Sequence, residues 1–310
     1  MSTGTDPLVP LAELPGVPEA VAEVRKAVDR LYGHRVMRRR APEVTSEAAL
    51  RGARASAALA GADWPLEEVR RRSDFSAGPE DRVVGASLRI SAEAGQLLSV
   101  WRTSPLQVLA RLHLLAAGDA SPAAGRPRQD GDALDELFPV DIAPLDGVAA
   151  APDVEPGQGS VPAGGAVDGV PTPLPPAPPA GEVAARLDQL AQLLAARTAG
   201  AQGAAPALVI AAVVHGELLA LRPFGSHDGL VARAAQRIVL IAEGLDPKAI
   251  CPAEVGLVEL GTTAYREALA GYLSGTAEGM ARWITHCGRA LRLGVRESTA
   301  VCEAMQRGMV

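Results

Sequence analysis

The stretch LALRPFGSHDGLVAR, residues 219–233, gathers more chemically able side chains than any other part of the chain. Arg222 and Arg233 bring fixed positive charge, and Gly229 lets a backbone approach a ligand closely. Ser226, His227 and Asp228 bring a hydroxyl, an imidazole and a carboxyl. The stretch lies between two Ala/Leu-rich runs, so it reads as a loop feeding a helix. Such a junction presents free backbone N–H groups and the positive end of the helix dipole, which suits an anion such as phosphate. His227 is the one side chain here whose ordinary pKa lies near neutrality, and so the one base on offer. Its bulk and the negative charge of Asp228 oppose phosphate. Arg222 either offsets that opposition or pairs with Asp228 and fills the site itself.

Elsewhere the reactive residues are scattered. His215 lies on an apolar helix and reads as a hydrogen-bonded core residue; His34, His113 and His286 show no ligand spacing. Asp130, Asp132, Asp135 and Glu136 lack the spacing of a calcium loop and read as a solvated turn. Cys251, Cys287 and Cys302 are an odd set without CxxC spacing, so no disulfide framework or zinc site is expected.

Helices must position the loop. Residues 206–221 are almost wholly apolar, the mark of a helix buried on all sides. Residues 230–243 carry helical spacing and end at Gly244. Further helices are expected over 18–33, 45–60 (capped at Ser46), from Pro65, twice within 81–117, and over 182–197, 262–273 and 277–293. From Gly118 to Gly181 the composition turns to Pro, Gly, Ala and Asp, too long for an ordinary connection. Its middle reads as mobile, its proline run as extended, and LFPVDIAPL as one short strand pair.

Of the 310 residues, 48% are hydrophobic but only 3% aromatic, so a sizeable core must be built from Ala, Leu and Val. Lysine occurs only at Lys26 and Lys248. Net charge is −6 and no basic stripe with aromatics appears, which disfavours nucleic acid. No run reaches the ~18–20 apolar residues of a membrane span. With no leader-like N-terminus, the expectation is a cytoplasmic protein.

The order of parts resembles the Fic (Fido-fold) family, whose motif is HPFx[D/E]GNGRxxR preceded by AxxHxxFxxI. His215 stands seven residues before the xPF loop, Leu218 and Leu221 take the apolar positions, and Arg233 follows eleven residues after Arg222, without a gap. RASAALAGADWPLEEV is similar to the family's inhibitory helix, [S/T]xxxE[G/N]: Ser56 and Gly61 match, and Ala60 stands where the Glu belongs. LARLHLLAAGD, GRPR (Gly125–Arg128) and PTPLPPAPPAGEVAARLDQL are similar to the segments around the family's flap. The likeness spans about residues 8–293. It implies a mainly α fold: an N-terminal helical region over 1–104 and a Fic-like core over 105–310, interrupted by the insertion at 118–181, with a short β-hairpin flap.

The resemblance also implies what is missing. Family enzymes transfer AMP from ATP to a protein hydroxyl. The motif His is the base, the acidic residue holds Mg²⁺, and the first Arg binds phosphate. Here these positions are Arg222, Ser226 and Leu230. A guanidinium cannot accept a proton near neutrality, and loss of the base alone costs roughly 10²–10⁴-fold. A neutral hydroxyl is a poor sole protein ligand for Mg²⁺. ATP and Mg²⁺ are the family's cofactors and are not expected to be used here, and no catalytic set is intact. Arg233, which in the family meets the inhibitory Glu or the ATP γ-phosphate, needs a new carboxylate (Asp228 is one), solvent or an outside anion. The leading expectation is a pseudoenzyme acting by binding, with a protein partner at the flap and a nucleotide or anion at the loop. The alternative is a transferase using a phosphorylated donor, held by Arg222 and Arg233, with His227 as base. Self-association is common in the family, but no apolar stripe identifies an interface.

Overall fold

The apolar runs fold as their spacing requires and close around the 219–233 loop. A computed structural model describes residues 6–118, 121–145, 147–148, 173–197 and 203–309. In chain order the helices are α1 (Val9–Ala12), α2 (Val17–Tyr32), α3 (Met37–Leu59), α4 (Leu66–Arg71), α5 (Pro79–Glu93) and α6 (Leu98–Trp101). Then follow α7 (Pro105–Ala117), α8 (Ala180–Ala196), α9 (Ala207–Leu221), α10 (Asp228–Ala242), α11 (Ala253–Leu260), α12 (Thr262–Leu273) and α13 (Ala277–Gln306). No helix among the described residues is long and apolar enough to cross a membrane.

The α9–α10 hairpin is the centre. Every α9 residue from Leu208 to Leu221 is buried except Glu217. That carboxylate lies at the edge of the core, where it takes both Arg186 nitrogens at 2.9 Å and the Tyr272 hydroxyl at 2.8 Å. α10 packs on α9, α5 and α7, while α13 crosses behind α9. The N-terminal helices join the same core: α2 lies on α13, and α3 on α5 and α11. Asp246, just after α10, ties them in. Its carboxylate accepts from Tyr32 Oη at 2.7 Å and from the N–H groups of Ile250 and Cys251 at 3.0 and 2.8 Å.

Several boundaries differ from the sequence reading. α3 begins at Met37, bending at Arg40 (φ −122°, ψ 24°) ahead of Pro42, and Ser46 Oγ bonds the Pro42 carbonyl inside the helix instead of capping one. α11 carries apolar groups on all sides over only eight residues, so it offers no period to read. α13 runs on past residue 293 to Gln306.

The expected hairpin over LFPVDIAPL does not form, and no strand occurs among the described residues. Pro139 and Pro144 have no N–H to give to a ladder. The remaining groups are taken by helix ends: Ile142 N–H donates to Thr262 Oγ1 at 2.9 Å, the Ile142 carbonyl accepts from Thr262 N–H, and Leu145 N–H donates to the Glu259 carbonyl. Asp130 is an exposed turn residue, as read from sequence, and its Oδ1 also accepts from Ala180 N–H at 2.7 Å at the start of α8. The described end of the proline run enters α8 with Pro179 at φ −62°, ψ 154°, the extended polyproline conformation. The middle of the insertion, read as mobile from sequence, lies outside the described residues.

α11 crosses α13 at close range through glycines. A Cβ on Gly256 would stand 1.9 Å from the Ala290 carbonyl oxygen, and one on Gly294 would stand 2.3 Å from that of Pro252. Gly256→Val is expected to lower unfolding free energy by at least ~1–3 kcal/mol, read by denaturant titration. A variant of wild-type stability would show that the crossing is looser than this.

Candidate functional site

The loop joining α9 to α10 bends through two non-glycine residues in the left-handed region, Arg222 (φ 49°) and His227 (φ 55°), and through Gly225 (φ 75°). Each such residue other than glycine costs roughly 1–2 kcal/mol, so the surroundings must hold the loop in place. At Gly225 an added Cβ would meet the Ala133 carbonyl at 2.9 Å.

Three side chains supply the hold. Arg128, buried, donates from Nε to the Arg222 carbonyl at 2.9 Å and from Nη2 to the carbonyls of Leu221 (3.3 Å) and Pro178. It thus places a cation on the negative end of α9. His113 of α7 stacks on Phe224, with ring centroids 4.3 Å apart and planes within 8°. Its Nδ1 accepts from Gly125 N–H at 2.9 Å, so the ring proton belongs on Nε2, which donates to Ser226 Oγ at 3.0 Å. Burial lowers the His113 pKa to about 4, in keeping with a neutral ring that must keep its Nδ1 lone pair. Ser226 and His113 therefore form a brace and not a nucleophile–base pair, because the only basic nitrogen is occupied. Arg222 is the third: Nη2 donates to the Asp135 carbonyl. Two backbone bonds complete the weld, Arg128 N–H to the Pro223 carbonyl and Asp135 N–H to that of Gly225 at 2.7 Å.

The pairing of Arg222 with Asp228 does not occur. Asp228 turns back into its own loop, where Oδ1 accepts from Phe224 N–H at 3.0 Å. Burial is the main cause that pushes its pKa up to about 7, against the backbone bonds from Phe224 and Gly225 and the charge of Arg222.

Arg233 also departs from the expected choices. It is 3% exposed, yet neither Asp228 nor any other carboxylate among the described residues pairs with it. Instead Nε donates to Ser56 Oγ at 2.8 Å and Nη2 to the Ser56 carbonyl at 3.0 Å. α3 is thus brought against α10 at the residue where the sequence suggested an inhibitory helix. Gly229 makes room for this guanidinium, since a Cβ there would lie 3.0 Å from Nη1.

Beside Arg233 opens a cleft of about 280 Å³. Its floor is Gly229, Leu230 and Arg233, one wall is Leu59 and Ala60 at the end of α3, and the other is Asp135–Leu137 with Pro139. Gly61, at φ 96°, ends α3 against Pro139. His227 and Asp228 line the cleft as well. Burial lowers the His227 pKa, so its ring is neutral at pH 7, and its Nδ1 is buried without a partner. His215 stays outside the cleft, hydrogen-bonded to Tyr265 Oη at 2.6 Å within the core.

The fold matches solved structures. A Fic family protein from Desulfovibrio desulfuricans G20 superposes with a TM-score of 0.66 at 21% identity, over 93% of this chain and 75% of that one. The chain has the Fic fold. Fic-1 (residues 134–508) from C. elegans superposes with a TM-score of 0.57 at 13% identity, over 93% of this chain and 73% of that one. No family model matches the sequence, and no curated protein matches it.

On this Fic fold, Ala60, His227, Asp228, Gly229 and Arg233 share one cleft, with Ser56 behind Arg233. Arg222 and Ser226 do not join them, because their side chains are spent on Asp135 and His113. Ser226, at the position that would have to hold magnesium, does not fit it: the hydroxyl already serves His113, and among the described residues no three His, Cys, Asp or Glu side chains are placed to hold a metal ion. Sequence reasoning missed His113 and Arg128 as the braces. The one available signal was a histidine and an arginine flanking the same glycine-rich bend, and it carries no spacing rule.

His113→Ala removes a stacked ring and leaves Gly125 N–H and Ser226 Oγ without partners, an expected loss of about 2–4 kcal/mol. Hydrogen exchange should quicken at residues 125–128 and 222–226 beyond the global change; uniform quickening would contradict the bracing role. Asp228 gives a pH signature. Its folded pKa of about 7 exceeds the ordinary 3.8, so the folded chain holds a proton that the unfolded chain has released between those values. Its contribution to stability therefore falls as pH rises from about 4 to about 7, then stays level. His113, with its lowered pKa, acts in the opposite direction over that range. Asp228→Asn keeps an acceptor for Phe224 N–H and should gain on wild type by on the order of 3–4 kcal/mol between pH 4 and pH 8. Parallel stability curves would remove the buried carboxyl from the account.

Proposed function

We propose that this Fic-fold chain acts by binding at the cleft beside Arg233 and does not carry out AMP transfer. The observation that carries the reading is the direction of two side chains. Arg222, at the position of the family's base, donates to the Asp135 carbonyl, and Ser226, at that of its metal ligand, pairs with His113 of α7, so neither side chain lines the cleft. A base must reach the proton it removes. The guanidinium at that position has no basic lone pair, and its Nη2 is held by a carbonyl. Phosphoryl-type transfer relies on charge neutralisation by metal and cations, and no carboxylate stands in the metal ligand's place. Ala60 supports the same reading, since an inhibitory carboxylate has no purpose where transfer is absent.

What remains able to bind is the floor of the cleft, the N-terminus of α10 with Arg233 beside it, under a wall formed by residues 135–139. That wall is where a protein partner would also meet the chain. Its Asp135 N–H is already engaged by the Gly225 carbonyl, and its exposed carboxylates Asp135 and Glu136 are the side chains such a partner would meet.

Incubation with labelled ATP and Mg²⁺ or Mn²⁺ is expected to leave the protein and added lysate unlabelled, and the Arg222→His, Ser226→Asp variant is expected to stay unlabelled too, since both residues also brace the loop. Strong labelling by wild type, lost on changing the loop, would overturn the proposal. A second reading, transfer from another phosphorylated donor, draws on His227, a neutral imidazole lining the cleft. It requires turnover of such a donor that His227→Gln abolishes.

A further inference from the structure

The two sides of the cleft carry opposite charge. At the floor, Arg233 has only neutral partners, Ser56 and the Tyr265 hydroxyl. α10 has no side-chain cap, and the N–H groups of Gly229 and Leu230, both lining the cleft, find no acceptor among the described residues. These groups form a pole for one anionic group. Across from it, the wall presents the exposed carboxylates Asp135 and Glu136; Arg222 and Arg266 hold the backbone of this segment at Asp135 and Phe138 without lining the cleft. Asp228, the first residue of α10, brings a third carboxyl on the floor side, where its Oδ1 is taken by the Phe224 N–H. The rest of the surface is apolar, from Leu59, Val83, Leu137 and Leu230.

A polyphosphate is badly matched to this arrangement. Its first group would meet Arg233 while the following groups meet carboxylates, and like charges in a low-dielectric cleft repel strongly. A simple cation leaves the buried guanidinium without a counter-charge. A molecule with one negative end, one positive end and an apolar body satisfies all three parts. The volume agrees: at about 280 Å³ the cleft lies at the lower edge of the ~300–1,000 Å³ typical for drug-sized ligands.

We infer that the cleft takes a small zwitterion, an apolar α-amino acid or a dipeptide. Its carboxylate sits on Arg233 and the N-terminus of α10, and its ammonium faces Asp135 and Glu136. This inference rests on reading the cleft as a binding site, and it names the class of molecule bound.

The test is thermal shift and calorimetry on the full chain with leucine, leucyl-leucine, acetate, isobutylamine, and ATP with Mg²⁺. Leucine or the dipeptide is expected to raise the melting temperature saturably, above acetate or isobutylamine at equal concentration, and above ATP. Asp135→Asn with Glu136→Gln changes only exposed side chains. It should weaken the zwitterion roughly two- to fivefold while leaving acetate unchanged. Ala60→Glu places a carboxylate in the same cleft as Arg233 and should abolish zwitterion binding with the fold intact. Absence of a saturable shift with either zwitterion at 10 mM (about the weakest affinity of interest), or tighter binding of ATP than of both, overturns the inference. Neither result touches the absence of AMP transfer, which falls only if label is transferred.

Discussion

The site depends on one imidazole. His113 is fixed in its neutral state by three contacts made at once: a face against Phe224, Nδ1 under the Gly125 amide, and Nε2 on the Ser226 hydroxyl. Two of the contacts come from the α9–α10 loop and one from the bend at Gly125, so a single ring sets the distance between α7 and both of these segments. Protonation would destroy the arrangement, because the cationic ring has no lone pair for the Gly125 amide. Burial guards against that by holding the pKa low. The left-handed residues Arg222 and His227 persist because the frame around them leaves no room to relax.

Arg233 shows the opposite economy. Ser56 satisfies its hydrogen bonds but not its charge. A buried cation with neutral partners keeps most of its desolvation cost, and under the binding proposed above that uncancelled charge is what draws an anionic group. Stability and binding are therefore set against each other at this residue. An acidic side chain on α3 would relieve the cost and close the site in the same step, whereas alanine at position 60 leaves both open.

The helical frame was legible from sequence because long amphipathic or wholly apolar runs have few alternatives. The 206–221 and 262–273 runs appear within a residue of where their patterns place them. α11 escaped because two turns of apolar residues between Pro252 and Gly261 hold no period. A strand pair was expected over LFPVDIAPL, and a hairpin flap from the family resemblance, but the backbone groups of this stretch found partners on helix ends from far along the chain. At the site, residue types told which of the family's motif residues are replaced, at Arg222, Ser226 and Leu230. They could not tell that Arg222 would take a carbonyl and not Asp228, or that Arg233 would turn to Ser56, 177 residues away. Those choices follow from which elements pack together, and local spacing contains no record of that.

The staples near the start of α8 have a consequence of their own. Arg128 reaches the Pro178 carbonyl and Asp130 accepts from Ala180 N–H, so the entry of α8 is fastened to the 125–130 segment. Residues 131–145, which follow that segment, are tied to the core through Phe138, Ile142 and Leu145 and supply the cleft wall. Arg128 also holds the Arg222 carbonyl, so a change at Pro178 can reach the α9–α10 loop without touching any residue that lines the cleft.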